Sequence, residues 1–396
     1  MARSFQQRDA PRLGVYIDYR FRRTDRGVSG ERAFVLFLFA LEPHVGSLTL
    51  IGRFDPSTEP YPYALPASVG LVELPFYASL AYPGAAAGGL LRGAVTAWKA
   101  LDQFDVLWAL GPNPMSIVIA TMGLLRGKRV VLGVRQDSRA YVRRRHPGRR
   151  AFRLAADIMQ AAFKALARRC PIAVVGADLA AQFPGARELQ PFHVSLVADA
   201  DVRSEDPPAR GMFARRILTV GRLDAEKNPL LLAEAMGRLV ADGEGDGHPP
   251  WRLDVYGEGP LEPELARRIA ELGLQDVVTL RGYVGIDAGL RDAYDGADAF
   301  LHVSWTEGMP QVLIEAFAAR LPTVATDVGG VAALAGDAAL LVPAGDAQAV
   351  ADALRRLGED EGLRTRLVEA GTVIAHAHTT EAEAGALASF LIGGPA

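Results

Sequence analysis

The strongest constraint on this chain is a recurrence: short apolar runs of four to six residues alternate with longer stretches patterned for helices. In the first half the runs are Leu13–Ile17, Leu48–Ile51, Val106–Leu110, Val130–Val134 and Ile172–Val175. Strands spaced this way need crossover helices, so the order predicts a mostly parallel sheet covered on both faces. Asp18 to Ser29 reads as a polar, arginine-rich loop, with Gly30 leading into a helical segment from Glu31 to Leu41. The proline- and tyrosine-rich stretch Asp55 to Pro83 has no assignable regular structure.

The pattern breaks near Ala198 and then restarts. Asp199 to Arg210 is charged, carries two prolines and lacks periodicity, which marks a linker. Strand runs resume at Ile217–Val220, Leu253–Tyr256, Val277–Leu280, Ala299–Val303, Thr323–Ala325 and Leu340–Val342. Between them lie the helical segments Pro229–Leu239, Pro263–Leu272, Val312–Ala319 and Ala347–Leu357, with a glycine-rich turn at Asp242 to Pro250. With 396 residues, two cores are the natural expectation. The division predicted is an N-terminal domain over 1–197, a linker over 198–214, a second domain over 215–375 and a C-terminal helix over 376–396.

Composition narrows the function classes. A formal charge of -3 offers no global excess for wrapping nucleic acid. The single cysteine, Cys170, excludes an intrachain disulfide framework and a clustered-cysteine metal site. Met1 to Arg12 is polar, and the longest early apolar run, Ala33 to Leu41, is far short of the ~20 residues a bilayer span needs. A cytoplasmic protein is the expectation.

Two segments carry most of the chemistry. Ser304-Trp-Thr-Glu-Gly-Met-Pro-Gln-Val-Leu-Ile-Glu315 follows a strand and enters a helix at Pro310. It sets Glu307 on the loop at the strand's carboxyl end and Glu315 about one turn inside the helix. The amides of Gly308, Met309, Gln311 and Val312, aided by the helix dipole, form a candidate anion site. Gly221-Arg-Leu-Asp-Ala-Glu-Lys-Asn-Pro229 follows directly after the strand Ile217–Val220, and Arg222 and Lys227 could converge on one anionic group there. Each segment alone is equally compatible with a solvated loop. Gly257-Glu-Gly259-Pro260, Arg281-Gly-Tyr283 and Val328-Gly-Gly330 add glycine-bearing loops on the same side of the sheet, where open α/β sheets bind ligands. There is no GxGxxG turn after the first strand and no GxxxxGK[ST] loop, which counts against dinucleotide oxidoreductases and P-loop ATPases.

In ordered succession these pieces resemble family 4 of the retaining glycosyltransferases, whose GT-B fold is two Rossmann-like domains facing across an interdomain cleft. The resemblance covers about the second half of the chain and includes Leu341-Val-Pro…Gly345-Asp346. It implies a sugar transfer from a nucleotide-diphosphate sugar to an acceptor hydroxyl, retaining configuration and needing no metal. By the same resemblance Glu307 lies beside the donor sugar and Glu315 holds the ribose. Arg222 and Lys227 hold the diphosphate, and the backbone from Gly308 to Leu313, with Pro310, contacts sugar and phosphate. Gly257 belongs to the donor-binding loops, Tyr283 faces the base, and Gly30 approaches the diphosphate from the first domain.

The family's histidine after the strand resembling Val130–Val134 is missing; Arg135, Gln136 or Asp137 stands there, with Asp137 the candidate to orient an acceptor hydroxyl. His302 and His193 have no convincing metal-ligand set and read as packed or surface residues, and no DxD metal signature ends a strand. Arg135 to Arg153 is densely basic, compatible with a solvated face or with an anionic acceptor or acidic membrane surface. Other readings left standing are a nucleotide-sugar-binding homologue with little transferase activity and a sugar-nucleotide epimerase. Acceptors implied are small molecules, glycans or lipid-linked sugars.

Overall fold

A computed structural model describes residues 10–25, 27–77, 83–139, 142, 150–203, 213–241, 249–285 and 289–393. The chain forms two compact units: residues up to Leu196 together with those from Thr380 onward, and Val197–Thr379. The predicted linker and the Asp242–Pro250 turn fall largely outside the described residues, as does much of the basic run after Arg139.

The first unit holds β1 (Arg12–Thr24), β2 (Gly27–Gly30), β3 (Ser47–Phe54), β4 (Tyr63–Ala64), β5 (Gly70–Leu74), β6 (Val106–Gly111), β7 (Arg129–Val134), β8 (Ile172–Val175) and β9 (Leu189–Phe192). Its parallel body runs β5-β3-β1-β6-β7-β8-β9; β2 attaches antiparallel to the far end of β1, and β4 antiparallel to β2. Period-two alternation explains the two-sided core. Val106, Trp108 and Leu110 pack on one face of β6, Leu107 and Ala109 on the other.

Here the sequence reading needs correction. The stretch from Asp18 is not a loop: β1 continues to Thr24 and turns back as β2, pairing Phe21 with Gly30. Its arginines read as loop residues because their charges are not visibly compensated in sequence. In the fold Arg20 pairs with Glu31 at 2.6 Å, Arg22 with Asp55 at 2.9 Å and Arg23 with Glu73 at 2.7 Å. Part of the unassigned Asp55–Pro83 stretch is strand as well, contributing β4 and β5.

The C-terminal helix Thr380–Ile392 completes this unit. Ala384, Leu387, Ala388 and Leu391 are buried in the cluster that holds Leu13, Val15 and Phe37. Arg129 caps the helix end, its Nε donating to the Leu391 carbonyl at 2.7 Å and Nη2 to that of Phe390 at 3.0 Å. His193 meets Glu383 on the same helix, with Nδ1 3.0 Å from Oε1 and the backbone N–H donating to Oε2 at 3.1 Å. His193 is therefore tied to a packing contact.

The second unit is a parallel sheet of β10 (Arg216–Val220), β11 (Arg252–Tyr256), β12 (Val278–Gly282), β13 (Ala299–His302), β14 (Thr323–Thr326) and β15 (Ala339–Val342). Its order is β12-β11-β10-β13-β14-β15. Helices Leu230–Ala241, Glu262–Glu271, Gln311–Ala318 and Ala347–Glu359 lie between strands, close to the predicted segments. Strand order reverses between β10 and β13, and such a switch point opens a crevice beyond the strands' carboxyl ends.

Candidate functional site

Both chemistry-bearing segments of the second unit lie at this switch point. After β10, Gly221 to Asn228 forms a loop closed by a short 3₁₀ turn at Ala225–Lys227. Asp224 caps that turn, its side chain accepting from the Lys227 amide at 3.3 Å. Asn228 then takes a left-handed conformation, φ 50°, and hands the chain to the helix Leu230–Ala241. After β13 runs the loop from Val303 to Pro310. The two loops are tied together where the Trp305 amide donates to the Glu226 carbonyl at 2.9 Å.

This arrangement gathers charges around one carboxylate. Lys227 Nζ contacts Glu307 Oε1, Ser304 Oγ donates to the same oxygen at 2.7 Å, and His302 Nε2 lies 3.1 Å from it. Ser304 Oγ is also 3.3 Å from His302 Nε2. Glu307 is nearly enclosed, its side chain 8% exposed. Burial works to raise its pKa, but hydrogen bonds and charge from His302 and Lys227 prevail and hold it down at about 2. At neutral pH it is a carboxylate, not a proton donor. Among the described residues its Oε2 has no hydrogen-bond partner, so one oxygen is left for a ligand.

Glu315 stands in the opposite environment. On the first turns of Gln311–Ala318, it accepts a hydrogen bond from Tyr294 OH at 2.7 Å. Burial pushes its pKa up, with the Tyr294 bond only partly opposing. Two glutamates on one loop–helix segment are thus driven apart in acidity, a pattern typical of functional pairs. Leu313 is fully buried in the core, with its amide donated to the Pro310 carbonyl at 3.1 Å. That amide is engaged within the helix turn, so the anion-facing backbone expected through Leu313 stops short of it.

Arg222 does not join the Glu307 cluster. Its side chain is 69% exposed and held by Asp224 at 2.5 Å, with Glu226 at 3.9 Å. A pocket of about 20 Å³ nevertheless has Gly221, Arg222, Lys227, His302 and Ser304 in its wall.

The glycines divide into two sorts. A Cβ on Gly257 would lie 1.8 Å from the Gly221 carbonyl oxygen, and one on Gly330 1.8 Å from that of Gly308. Their missing side chains let neighbouring loops stack; Gly257 is filled by backbone rather than open to a ligand. Gly221 and Gly308 instead have open space where a Cβ would be. Tyr283 is 73% exposed beyond β12, and Trp305, 53% exposed, lies over Gly345.

In the first unit, Gly30 is buried in β2 against Phe21 and Val35 and is not on an open glycine loop. Asp137 is engaged by protein groups: Oδ1 accepts from the Arg139 amide at 2.9 Å and Oδ2 from Gln182 at 3.2 Å. The switch point of this sheet, between β1 and β6, opens into a pocket of about 750 Å³. Its wall includes Asp18, Tyr19, Glu31, Arg32, Asn113 and Arg135, but not Asp137.

The sequence reading missed His302, Ser304 and Tyr294. His302 ends β13 five residues before Glu307, and that position was the available signal. Tyr294 carried none, because it arrives from a separate helix.

The sequence profile of "Glycosyl transferases group 1" matches residues 214–360. The match is confined to the second unit. An alpha-D-kanosaminyltransferase of Streptomyces kanamyceticus is 32% identical over 176 residues, covering 43% of this chain and 44% of that one. A putative teichuronic acid biosynthesis glycosyltransferase, TuaC of Bacillus subtilis, is 36% identical over 148 residues, 37% of this chain and 34% of the relative. In these alignments the chain spans less than half the length of its curated relatives. The fold match is broader. The Anabaena protein HepE, solved in complex with UDP, superposes with a TM-score of 0.66 over 96% of this chain and 99% of its own, at 15% identity. The two Rossmann-like sheets are those of the GT-B fold.

Proposed function

We propose that this chain transfers a sugar from a nucleotide-diphosphate sugar to an acceptor hydroxyl, retaining anomeric configuration and requiring no metal ion. The second unit is the donor-binding domain and the first the acceptor-binding domain. The observation that supports this best is the convergence of Lys227, His302 and Ser304 on Glu307 at the switch point of a group 1 transferase segment.

The roles proposed combine the family resemblance with this geometry. Lys227 and the exposed Arg222 supply positive charge to the diphosphate as the glycosidic bond breaks. Lys227 already neutralises Glu307, so it is placed to bridge the carboxylate and an incoming phosphate. Glu307, ionised, positions the sugar and stabilises the positive charge that develops at the reacting carbon. Glu315 and the chain beyond Gly308 take the ribose and phosphate side, and Tyr283 the base. UDP is the first nucleotide to test, because the Anabaena protein of the same fold was solved with it.

Among the described residues no helix is long and apolar enough to cross a membrane. We place the reaction in the cytoplasm, with acceptors that include lipid-linked sugars reached by peripheral contact. The helix Arg150–Ala167 supports this, since Leu154 and Ile158 are exposed one turn apart beside Arg150 and Arg153. Sedimentation with anionic vesicles tests it: binding lost on Leu154→Glu/Ile158→Glu is the expected result, and no vesicle binding removes the membrane contact.

The function itself is tested by incubating the protein with UDP-sugars in EDTA and following UDP release and the sugar's anomeric proton by NMR. Release of a sugar with the donor's configuration, lost in Glu307→Gln, is expected. Interconversion of one UDP-sugar into another would identify an epimerase, and saturable UDP binding without turnover in any acceptor screen would leave a binding protein.

A further inference from the structure

The first unit's pocket has an imbalance of charge that its own protein groups do not correct. Its two acids are satisfied from behind: Asp18 by Arg53 at 2.8 Å and the Tyr77 hydroxyl at 2.9 Å, Glu31 by Arg20 at 2.6 Å. Its two guanidinium groups, on Arg135 and Arg32, make no ion pair among the described residues. Arg135 is the more telling. Its guanidinium carbon lies 3.7 Å from the Phe34 ring centroid, and its Nη1 donates to the Tyr19 hydroxyl. Its Nε is buried with no hydrogen-bond partner. Burial and the nearby charge of Arg32 both work against its protonated form. A cation held in so apolar a setting without a counter-charge is costly unless something anionic arrives to meet it.

We propose that this pocket binds its ligand through an oxyanion, a phosphate or carboxylate, held by Arg135 and Arg32 against the Phe34 face. The planar fork of Arg135 suits two oxygens of one such group, and the Phe34 ring lies against its guanidinium carbon. On the transferase reading above, which this inference rests on for the ligand's role but not for its binding, the acceptor is an anionic sugar or sugar phosphate. The pocket occupies the β1/β6 switch point, the position in this sheet equivalent to the donor loops in the other.

The test is calorimetric titration of the full chain with inorganic phosphate and, separately, with glucuronate, glucose serving as the neutral control. UDP is kept saturating so that the second unit's phosphate-binding loops are filled, and UDP is first titrated alone. At least one anion is expected to bind while glucose does not, and the anion that binds names the source. Arg135→Met should weaken that binding at least tenfold, with Arg135→Lys retaining part of it, while UDP affinity stays as in the parent. Because Met removes an uncompensated charge, the melting temperature should hold or rise; a merely structural arginine would lower it. Anion binding that persists in a folded Arg135→Met variant, or binding of neither anion, overturns the proposal. Loss of UDP binding with anion binding intact would instead count against the donor site alone.

Discussion

At the scale of single residues, the account rests on two glutamates with opposed surroundings. The Glu307 pKa is held at about 2, below its ordinary value of 4.5. A depressed carboxylate contributes stability that is whole above its unfolded pKa and is lost as pH falls through the folded one. The contribution of ionised Glu307, at most about 3 kcal/mol, should therefore be lost between roughly pH 5 and pH 2. Acid denaturation followed by circular dichroism should show Glu307→Gln losing less over that window than the parent protein. At pH 7 the same variant should lower turnover about 100- to 1000-fold, the scale of removing one electrostatic contact to a developing charge. Glu315 runs the other way. Burial already disfavours its charge, so Glu315→Gln, which can still accept from Tyr294, should melt no lower than the parent while UDP affinity falls about tenfold. A melting temperature that drops with affinity unchanged would make Glu315 a packing residue.

Loops and strand ends show why some of the site was readable and some was not. In the second unit β10 begins one residue before its predicted run and β11 does likewise, because apolar runs buried on both faces are unambiguous. The first unit was harder. The apolar pattern of β1 stops at Ile17 because its second half is rich in arginine, and only tertiary pairing with Glu31, Asp55 and Glu73 makes that tolerable in a strand. Local spacing singles out Arg222, Lys227, Glu307 and Glu315, of which the fold brings Lys227 and Glu307 together. Tyr294 and the pocket carboxylate Asp18 are not legible this way, since their partners Glu315, Arg53 and Tyr77 are distant in sequence; His302 is near Glu307 in sequence but reads as a packed histidine. Glycine roles were also illegible. Gly330 and Gly308 look alike in sequence, yet a Cβ on Gly330 would strike the Gly308 carbonyl oxygen whereas Gly308 faces open space. Gly330→Ala should cost about 1–3 kcal/mol of stability. Gly308→Ala should fold normally but weaken UDP binding. Thermal melts and UDP titrations of both variants check this, and equal stability for the two would contradict the loop packing.

Across the whole molecule, the chain returns to its first unit after finishing its second. The helix Thr380–Ile392 supplies Leu387 and Leu391 to a core otherwise built from residues before Val197. Leu387→Ala should cost about 2–5 kcal/mol, expressed in the first unit, and UDP binding by the second should survive. Loss of UDP binding at a temperature where the variant is still folded would show that the units depend on each other more than their separate cores imply.

The central claim is that the loops after β10 and β13 bind a nucleotide diphosphate through Lys227. Titration of UDP into the protein in the presence of EDTA, with Lys227→Ala alongside, tests it most directly. Saturable one-site binding by the parent, weakened at least tenfold in a variant that melts as a folded protein, is the result predicted. No UDP binding by the folded parent protein, or equal affinity in Lys227→Ala, would contradict it.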